Sequence, residues 1–357
     1  MRTIWKVTKV FVLSLLGLVL ALLGSGIAYR AYRQHEIANT TAIDGNGIDE
    51  TLFAKIGGID QWISIRGQRR DNPVLLILHG GPGFGLSPLP RTAFFDWTKD
   101  FTIVQWDQRG AAKTFGRSGP LDSIVTIERM ALDGVEVAEF LRAKLRKPKI
   151  VLVGISWGST LGVRMAKARP ELFYAYVGTG QAVNQRKYRR LAYEQLLADA
   201  HTRNDRLAIQ ELEANGPPPY GSIAKATVHT KWANAYEPGH PPARKLISLV
   251  LFESAAGLQD LRDYRRGVVN SQNHFRDTVE ATDLPAIGTD FAVPFFVFQG
   301  AMDRMTPVQP VQAYVESITA PLKRLVLIPN AGHNVMVTRS EEFLSLLMQY
   351  VRPLAIQ

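Results

Sequence analysis

One pentapeptide constrains the fold more than any other part of the chain. Gly154-Ile155-Ser156-Trp157-Gly158 stands between a short apolar run, Ile150–Val153, and a helix-period stretch, Ser159–Ala168, that stops before Pro170. A chain that leaves a buried strand and enters a helix through one sharp turn brings the two backbones almost into contact. The two glycines remove the Cβ atoms that would collide there. The serine between them is held in a strained conformation with its hydroxyl outward, as a nucleophile requires. Ser159 is the rival hydroxyl, one helical turn further on and off the elbow. The chain has no Cys, which excludes a thiol nucleophile, disulfides and thiolate metal sites together.

The rest of the pattern fits a sheet around that turn. Val74–Leu78, Phe101–Trp106, Tyr174–Gly178, Pro294–Phe298 and Arg324–Ile328 are short, β-branched or aromatic runs. They alternate with helical stretches such as Ile127–Leu145 and Glu341–Val351. Thr51–Ile56 and Gln61–Ile65, separated by Gly57-Gly58, read as a hairpin. The expected fold class is α/β: a mostly parallel sheet flanked by helices. Residues 183–285 break the rhythm, with helical periodicity at Tyr188–Glu213 and a Gly216-Pro217-Pro218-Pro219 loop. They are expected to form an inserted helical cap between a first core part, 51–182, and a second, 286–357.

Two further strand ends carry the groups a serine needs. Asp303 follows Pro294–Phe298 in Gly300-Ala301-Met302-Asp303, and His333 follows Arg324–Ile328 in Asn330-Ala331-Gly332-His333. All three candidates would leave the same, C-terminal, edge of a parallel sheet, where such sheets bind ligands. His333 is expected to act as base and Asp303 to orient it. Asp290 is the fallback acid, but it precedes its strand. Asp107, inside Asp107-Gln108-Arg109-Gly110, reads as a structural turn with an ion pair. His79-Gly80-Gly81-Pro82-Gly83 follows Val74–Leu78. Its backbone can approach a substrate closely, so Gly81 N–H and Trp157 N–H are the candidate oxyanion donors. His201, His229 and His240 lack a strand-end setting. No H-E-x-x-H and no G-x-G-x-x-G after a strand occur, so neither a metal nor a dinucleotide cofactor is expected.

Together, HGGPG at 79–83, WDQRG at 106–110, GISWGSTLG at 154–162 and the Asp303 and His333 loops resemble the proline iminopeptidases of the α/β-hydrolase fold. The resemblance covers about 70–357. It implies Ser156 as nucleophile, a helical cap, and removal of an N-terminal proline from short peptides. The family holds the substrate amine with cap glutamates in W-x-x-W-E and E-N-H-Y-F patterns. Here the nearest matches are Trp232-Ala233-Asn234-Ala235-Tyr236-Glu237, with altered spacing, and Gln272-Asn273-His274-Phe275, with Gln in place of Glu. Glu237 and Gln272 are therefore the candidate substrate-binding residues. A neutral amide does not pair with an ammonium as a carboxylate does, so an esterase or amidase acting on a small apolar substrate stays open beside the aminopeptidase. A non-catalytic binding protein of the same fold is the alternative of a different class.

The N-terminus lies outside this resemblance. Val10 to Tyr29 are 20 residues without a charge, which as a helix span about 30 Å, the thickness of a bilayer core. Their Leu, Val, Phe and Ile favour insertion by about 4–7 kcal/mol together. Residues 1–33 are expected to be a membrane anchor, and 34–50, polar with Gly45 and Gly47, a linker. The flanking charges lean towards a catalytic domain outside the cytoplasm. Gly26-Ile27-Ala28 keeps open a cleaved signal and a secreted or periplasmic protein. The same segment explains the net charge of +10. Arg2, Lys6, Lys9, Arg30 and Arg33 precede the first acidic residue, and without them 37 basic residues face 32 acidic ones. The remaining clusters, Arg186–Arg190 and Arg262–Arg266, read as solvated faces, and nucleic acid is not an expected partner.

Overall fold

Neighbouring residues of each central strand enter two different cores, so the sheet must be covered on both faces. The computed structural model describes residues 2–356. Its strands are β1 (Ile48–Ile56), β2 (Ile59–Gly67), β3 (Val74–Leu78), β4 (Thr102–Trp106), β5 (Ile150–Ile155), β6 (Phe173–Thr179), β7 (Phe295–Gly300) and β8 (Lys323–Ile328). They lie in the order β1-β2-β4-β3-β5-β6-β7-β8. β3 to β8 run parallel, and the β1–β2 hairpin joins β4 antiparallel. Gly57 and Gly58 turn that hairpin at φ 54° and 82°, a handedness that matches strand twist.

The helices follow from the same alternation. α1 (Arg2–Thr40) precedes the sheet; α2 (Ala112–Ser118), α3 (Ile127–Leu145) and α4 (Trp157–Ala168) connect its first strands. Between β6 and β7 the chain forms α5 (Gln185–Thr202), α6 (Arg206–Asn215), α7 (Ile223–Tyr236), α8 (Ala243–Ser248), α9 (Leu258–His274) and α10 (Arg276–Glu280). α11 (Val308–Ser317), α12 (Val335–Thr338), α13 (Ser340–Leu346), a π-helical turn (Leu347–Val351) and α14 (Arg352–Ala355) complete the second part. Leu76, Leu78 and Leu152 pack with Val137 and Leu141 of α3 and Leu161 of α4. Leu75, Ile77 and Val151, one residue out of phase, pack with Trp97, Phe343 and Leu347 on the opposite face. Tyr193, Leu196, Leu212 and Trp232 give α5, α6 and α7 a small core of their own.

One expectation is refined and one corrected. The helical periodicity at Tyr188–Glu213 is carried by two helices, α5 and α6: between them Asn204 takes φ 53°, and Asp205 caps α6 by accepting the Ala208 N–H. The linker expected from residue 34 is still helical to Thr40. No Gly or Pro interrupts the chain there, and this end of the helix is held by the domain. Ile37 is buried, the Thr41 carbonyl accepts from Arg66, and the Gln34 amide donates to the Ser254 carbonyl. The apolar part of α1 is long enough to cross a membrane and is exposed along its length.

Candidate active site

The turn after β5 is as tight as the glycines require. A Cβ on Gly154 would lie 2.7 Å from the Gly158 carbonyl oxygen, and one on Gly158 would lie 2.1 Å from that of Leu78. Ser156 sits between them at φ 52°, ψ −117°, a conformation that costs a non-glycine residue about 1–3 kcal/mol. α4 starts at the next residue, two positions earlier than its periodicity indicates, so the Trp157 N–H belongs to a first helical turn without an intrahelical partner. Ser159, the rival hydroxyl, is fully buried. It donates to the Ser156 carbonyl and accepts from the Ala182 N–H and the Gln181 amide. Its role is to hold the elbow.

His333 and Asp303 meet across the loops after β8 and β7, with His333 Nδ1 2.9 Å from Asp303 Oδ2. The carboxylate also accepts from the Thr306 hydroxyl, the Gln299 amide and the backbone N–H groups of Met305 and Thr306. Burial alone would lift the Asp303 carboxyl, but the neighbouring His333 and the Thr306 donors outweigh it and hold its pKa below the usual value. Burial likewise opposes a charged His333. The Asp303 carboxylate, its hydrogen bond and the nearby Glu237 charge prevail and raise the imidazole above its ordinary value. The ring lies against Gly180, where a Cβ would be 2.7 Å from Cε1. Asp290, the fallback acid, is exposed and pairs through its backbone with Thr319, away from this loop.

Ser156, His333, Gly81 and Trp157 all border one cavity of about 460 Å³, within the range of small-molecule sites. Leu86, Phe94, Ile155 and Met336 give it apolar walls from the sheet side, while Tyr220, Ile223, His229, Tyr264 and Gln272 come from the segment between β6 and β7. Gln272 therefore faces the cavity as expected from sequence. Glu237 does not: it is not among the lining residues, its side chain is 2% exposed, and both oxygens accept from Asn334. This carboxylate is held against the His333 loop by Asn334. A Cβ on Gly332 would strike its side chain at 2.6 Å.

Two residues that sequence reasoning passed over organise the site. The Gln108 N–H donates to His79 Nε2, its side-chain amide donates to the His79 carbonyl, and its carbonyl oxygen accepts from the Trp157 indole. The WDQRG, HGGPG and elbow motifs are thus joined by one hydrogen-bonded chain. Burial pushes His79 down to about 4, so the ring is neutral and Nδ1–H donates to the Gly80 carbonyl. Asp107 accepts the N–H groups of Leu86, Ser87 and Lys113, with its pKa pushed by burial up to about 6. Arg109 forks onto the buried Asp133. The other residue is His229, in the cavity wall, which bridges the Tyr220 hydroxyl and the Arg304 carbonyl. Among the described residues, no three His, Cys, Asp or Glu side chains converge to hold a metal.

Residues 73–340 match the family model of the α/β-hydrolase fold. The chain belongs to the α/β-hydrolase family. Among relatives of this α/β-hydrolase, a probable aminopeptidase, YbaC, of Bacillus subtilis (strain 168) is 27% identical over 83% of this chain and 94% of its own. A probable proline iminopeptidase of Streptomyces coelicolor is 28% identical over 78% and 87%. Among solved structures, the proline iminopeptidase of Mycobacterium smegmatis superposes with a TM-score of 0.62 at 19% identity, over 87% of this chain and 99% of that one. A membrane phospholipase A, described as a bacterial virulence factor, superposes with a TM-score of 0.64 at 17% identity, over 97% and 99%. The last share takes in part of α1, so the likeness of fold extends beyond the catalytic domain.

Proposed function

We propose that this α/β-hydrolase is a serine hydrolase working through an acyl-enzyme. Ser156 Oγ attacks a substrate carbonyl while its proton passes to His333 Nε2. Asp303 holds Nδ1–H and balances the imidazolium. The N–H groups of Gly81 and Trp157 donate to the oxyanion, each such donor being worth about 3–4 kcal/mol of barrier. Collapse breaks the bond to the leaving group, which takes the proton from His333, and water then releases the acyl group by the same steps. The observation that carries this reading is the His333–Asp303 pair, at 2.9 Å, opening on the cavity that also receives the strained Ser156. A fluorophosphonate probe tests it: an adduct on Ser156 is expected, and folded protein that takes none would be a binding protein on a hydrolase scaffold.

Within that class, the relatives support an aminopeptidase acting on short peptides. One observation favours a second reading, an esterase or amidase for an apolar acyl group. Among the described residues lining the cavity, Glu280 is the one carboxylate, and Arg189 holds it in an ion pair. Gln272 is neutral and Glu237 is spent on Asn334. No unpaired carboxylate among these side chains awaits a substrate ammonium. Comparing Pro- and Ala-p-nitroanilides, free and N-blocked, with p-nitrophenyl acyl esters separates the readings: dependence on the free amine supports the peptidase, indifference to it the esterase.

For address, α1 as a retained single-pass anchor, with the catalytic domain outside the cytoplasm, is supported by its apolar run and by its unbroken passage into contacts with the domain. Cleavage near Ala28 would instead release a secreted or periplasmic enzyme, and the N-terminal residue of the purified membrane fraction decides between them.

A further inference from the structure

The segment that receives the end of α1 has an unusual composition. α8 and the π-helical turn that continues it, Leu249–Glu253, read Ala-Arg-Lys-Leu-Ile-Ser-Leu-Val-Leu-Phe-Glu. Two exposed basic residues, Arg244 and Lys245, are followed by an almost wholly apolar run. One side of that run packs on α1, with Phe252 edge-on to Tyr29 at 5.1 Å. The other side is open: Ile247 is 58% exposed and Leu251 40%, in line with Arg244 at helical spacing, and Leu258 beyond them is 74% exposed. Such a stripe on the surface of a domain needs a covering partner.

The attachment to α1 fixes where this stripe lies. Arg30, the first charge after the apolar run, donates to the carbonyls of Leu251, Ser254 and Ala256, groups that the end of the helical segment leaves without intrahelical partners. Gln34 donates to the Ser254 carbonyl, and Arg33 pairs with Glu253. Residues that directly follow a membrane span sit at the level of the lipid headgroups, where Tyr and Arg are favoured. Whatever is bound to Tyr29 and Arg30 is held at that same level. An amphipathic segment with basic residues at one end and large apolar ones along a face is suited to lie in that layer, with its charges on anionic headgroups.

We propose that Ala243–Glu253 is a second, peripheral membrane contact: an interfacial helix clamped to the anchor through Arg30, its Ile247–Leu251 stripe dipping into the headgroup layer of an anionic bilayer. The proposal rests on the reading of α1 as a retained anchor. It adds that the catalytic domain lies on the lipid surface in one orientation instead of standing clear of it.

The absence of Cys makes the test direct. Ile247→Cys and Leu251→Cys, with Val19→Cys inside the span and the exposed Ile124→Cys as references, are labelled in the full-length protein with a nitrobenzoxadiazole fluorophore. Each is reconstituted into phosphatidylcholine–phosphatidylglycerol vesicles carrying nitroxide lipids labelled near the headgroup or deep in the acyl chain. The expected result is a blue shift at positions 247 and 251 with quenching by the shallow nitroxide, quenching at 19 by the deep one, and neither at 124. Quenching at 19 with aqueous emission at 247 and 251 overturns the proposal and leaves the anchor standing. Absence of quenching at 19 removes the anchor itself. A blue shift at 247 and 251 without lipid quenching assigns the stripe to a protein contact such as a second copy, and also overturns the proposal.

Discussion

The Glu237 carboxylate accepts twice from Asn334, from the backbone N–H at 2.8 Å and from the side-chain amide at 2.7 Å. It thereby ties the end of α7 to the residue that follows His333. Its charge is one of the causes that raise the His333 imidazole. The proposed mechanism needs that imidazole neutral, so the acid limb of kcat/KM should follow its pKa. Glu237→Gln is expected to move the limb to lower pH and, by weakening a buried hydrogen-bond pair, to cost about 1–3 kcal/mol of stability. An acid limb that stays in place in a folded variant would sink this role.

The proposed triad makes a sharper demand. Ser156→Ala and His333→Ala are expected to reduce kcat by several orders of magnitude without unfolding the domain, and Asp303→Asn by about 10⁴-fold, since an amide favours the wrong imidazole tautomer. Rates near wild type in Asp303→Asn, with loss in Asp290→Asn, would move the acid to the other position.

Gly180 tests how closely His333 is packed. An alanine there would carry φ 52° and place its Cβ 2.7 Å from the imidazole. The ring has to move, so Gly180→Ala is expected to lower kcat more than it changes KM, with about 1–3 kcal/mol of lost stability from crowding. Gly45→Ala, outside helix and strand and with no atom within 4 Å, serves as the neutral comparison in the same denaturation series.

Stability against pH should reveal two buried groups of opposite sign. His79 has a folded pKa of about 4, below its unfolded value near 6.5. The unfolded chain therefore takes up a proton first, and stability falls as pH drops through that window, by roughly 3 kcal/mol in all. Asp107, with its pKa raised to about 6, holds its proton in the folded state where the unfolded chain has lost it. Its contribution falls as pH rises between about 4 and 6. The two slopes offset, so the wild-type urea midpoint should vary little between pH 6 and 4, while Asp107→Asn should lose stability steadily on acidification. A variant as level as the wild type would contradict the buried, neutral His79.

What was legible in the sequence was local. Periodicity and flanking glycines located every strand that holds the site, because a buried strand and the helix that covers it write their repeats into contiguous residues. The elbow, the Asp303 loop and the His333 loop were visible for the same reason. Contacts across long separations were not. Gln108 reaches Trp157 over 49 positions, Glu237 reaches Asn334 over 97, and Arg30 reaches Ala256 over 226. No spacing rule covers such distances. The extension of α1 to Thr40 belongs to the same group, since a polar stretch reads as linker until the surface that orders it is known.

That extension has a mechanical consequence. A flexible leash would let the enzyme sample a hemisphere above its attachment point and turn its cavity in any direction. With α1 as the retained anchor proposed above, an unbroken helix gripped by the domain would work as a strut, setting the height and tilt of the cavity mouth over the lipid. With the apolar run in a bilayer, encounter with substrate becomes a search over a surface, and lengthening α1 by one residue would swing the whole domain by about 100° around the helix axis.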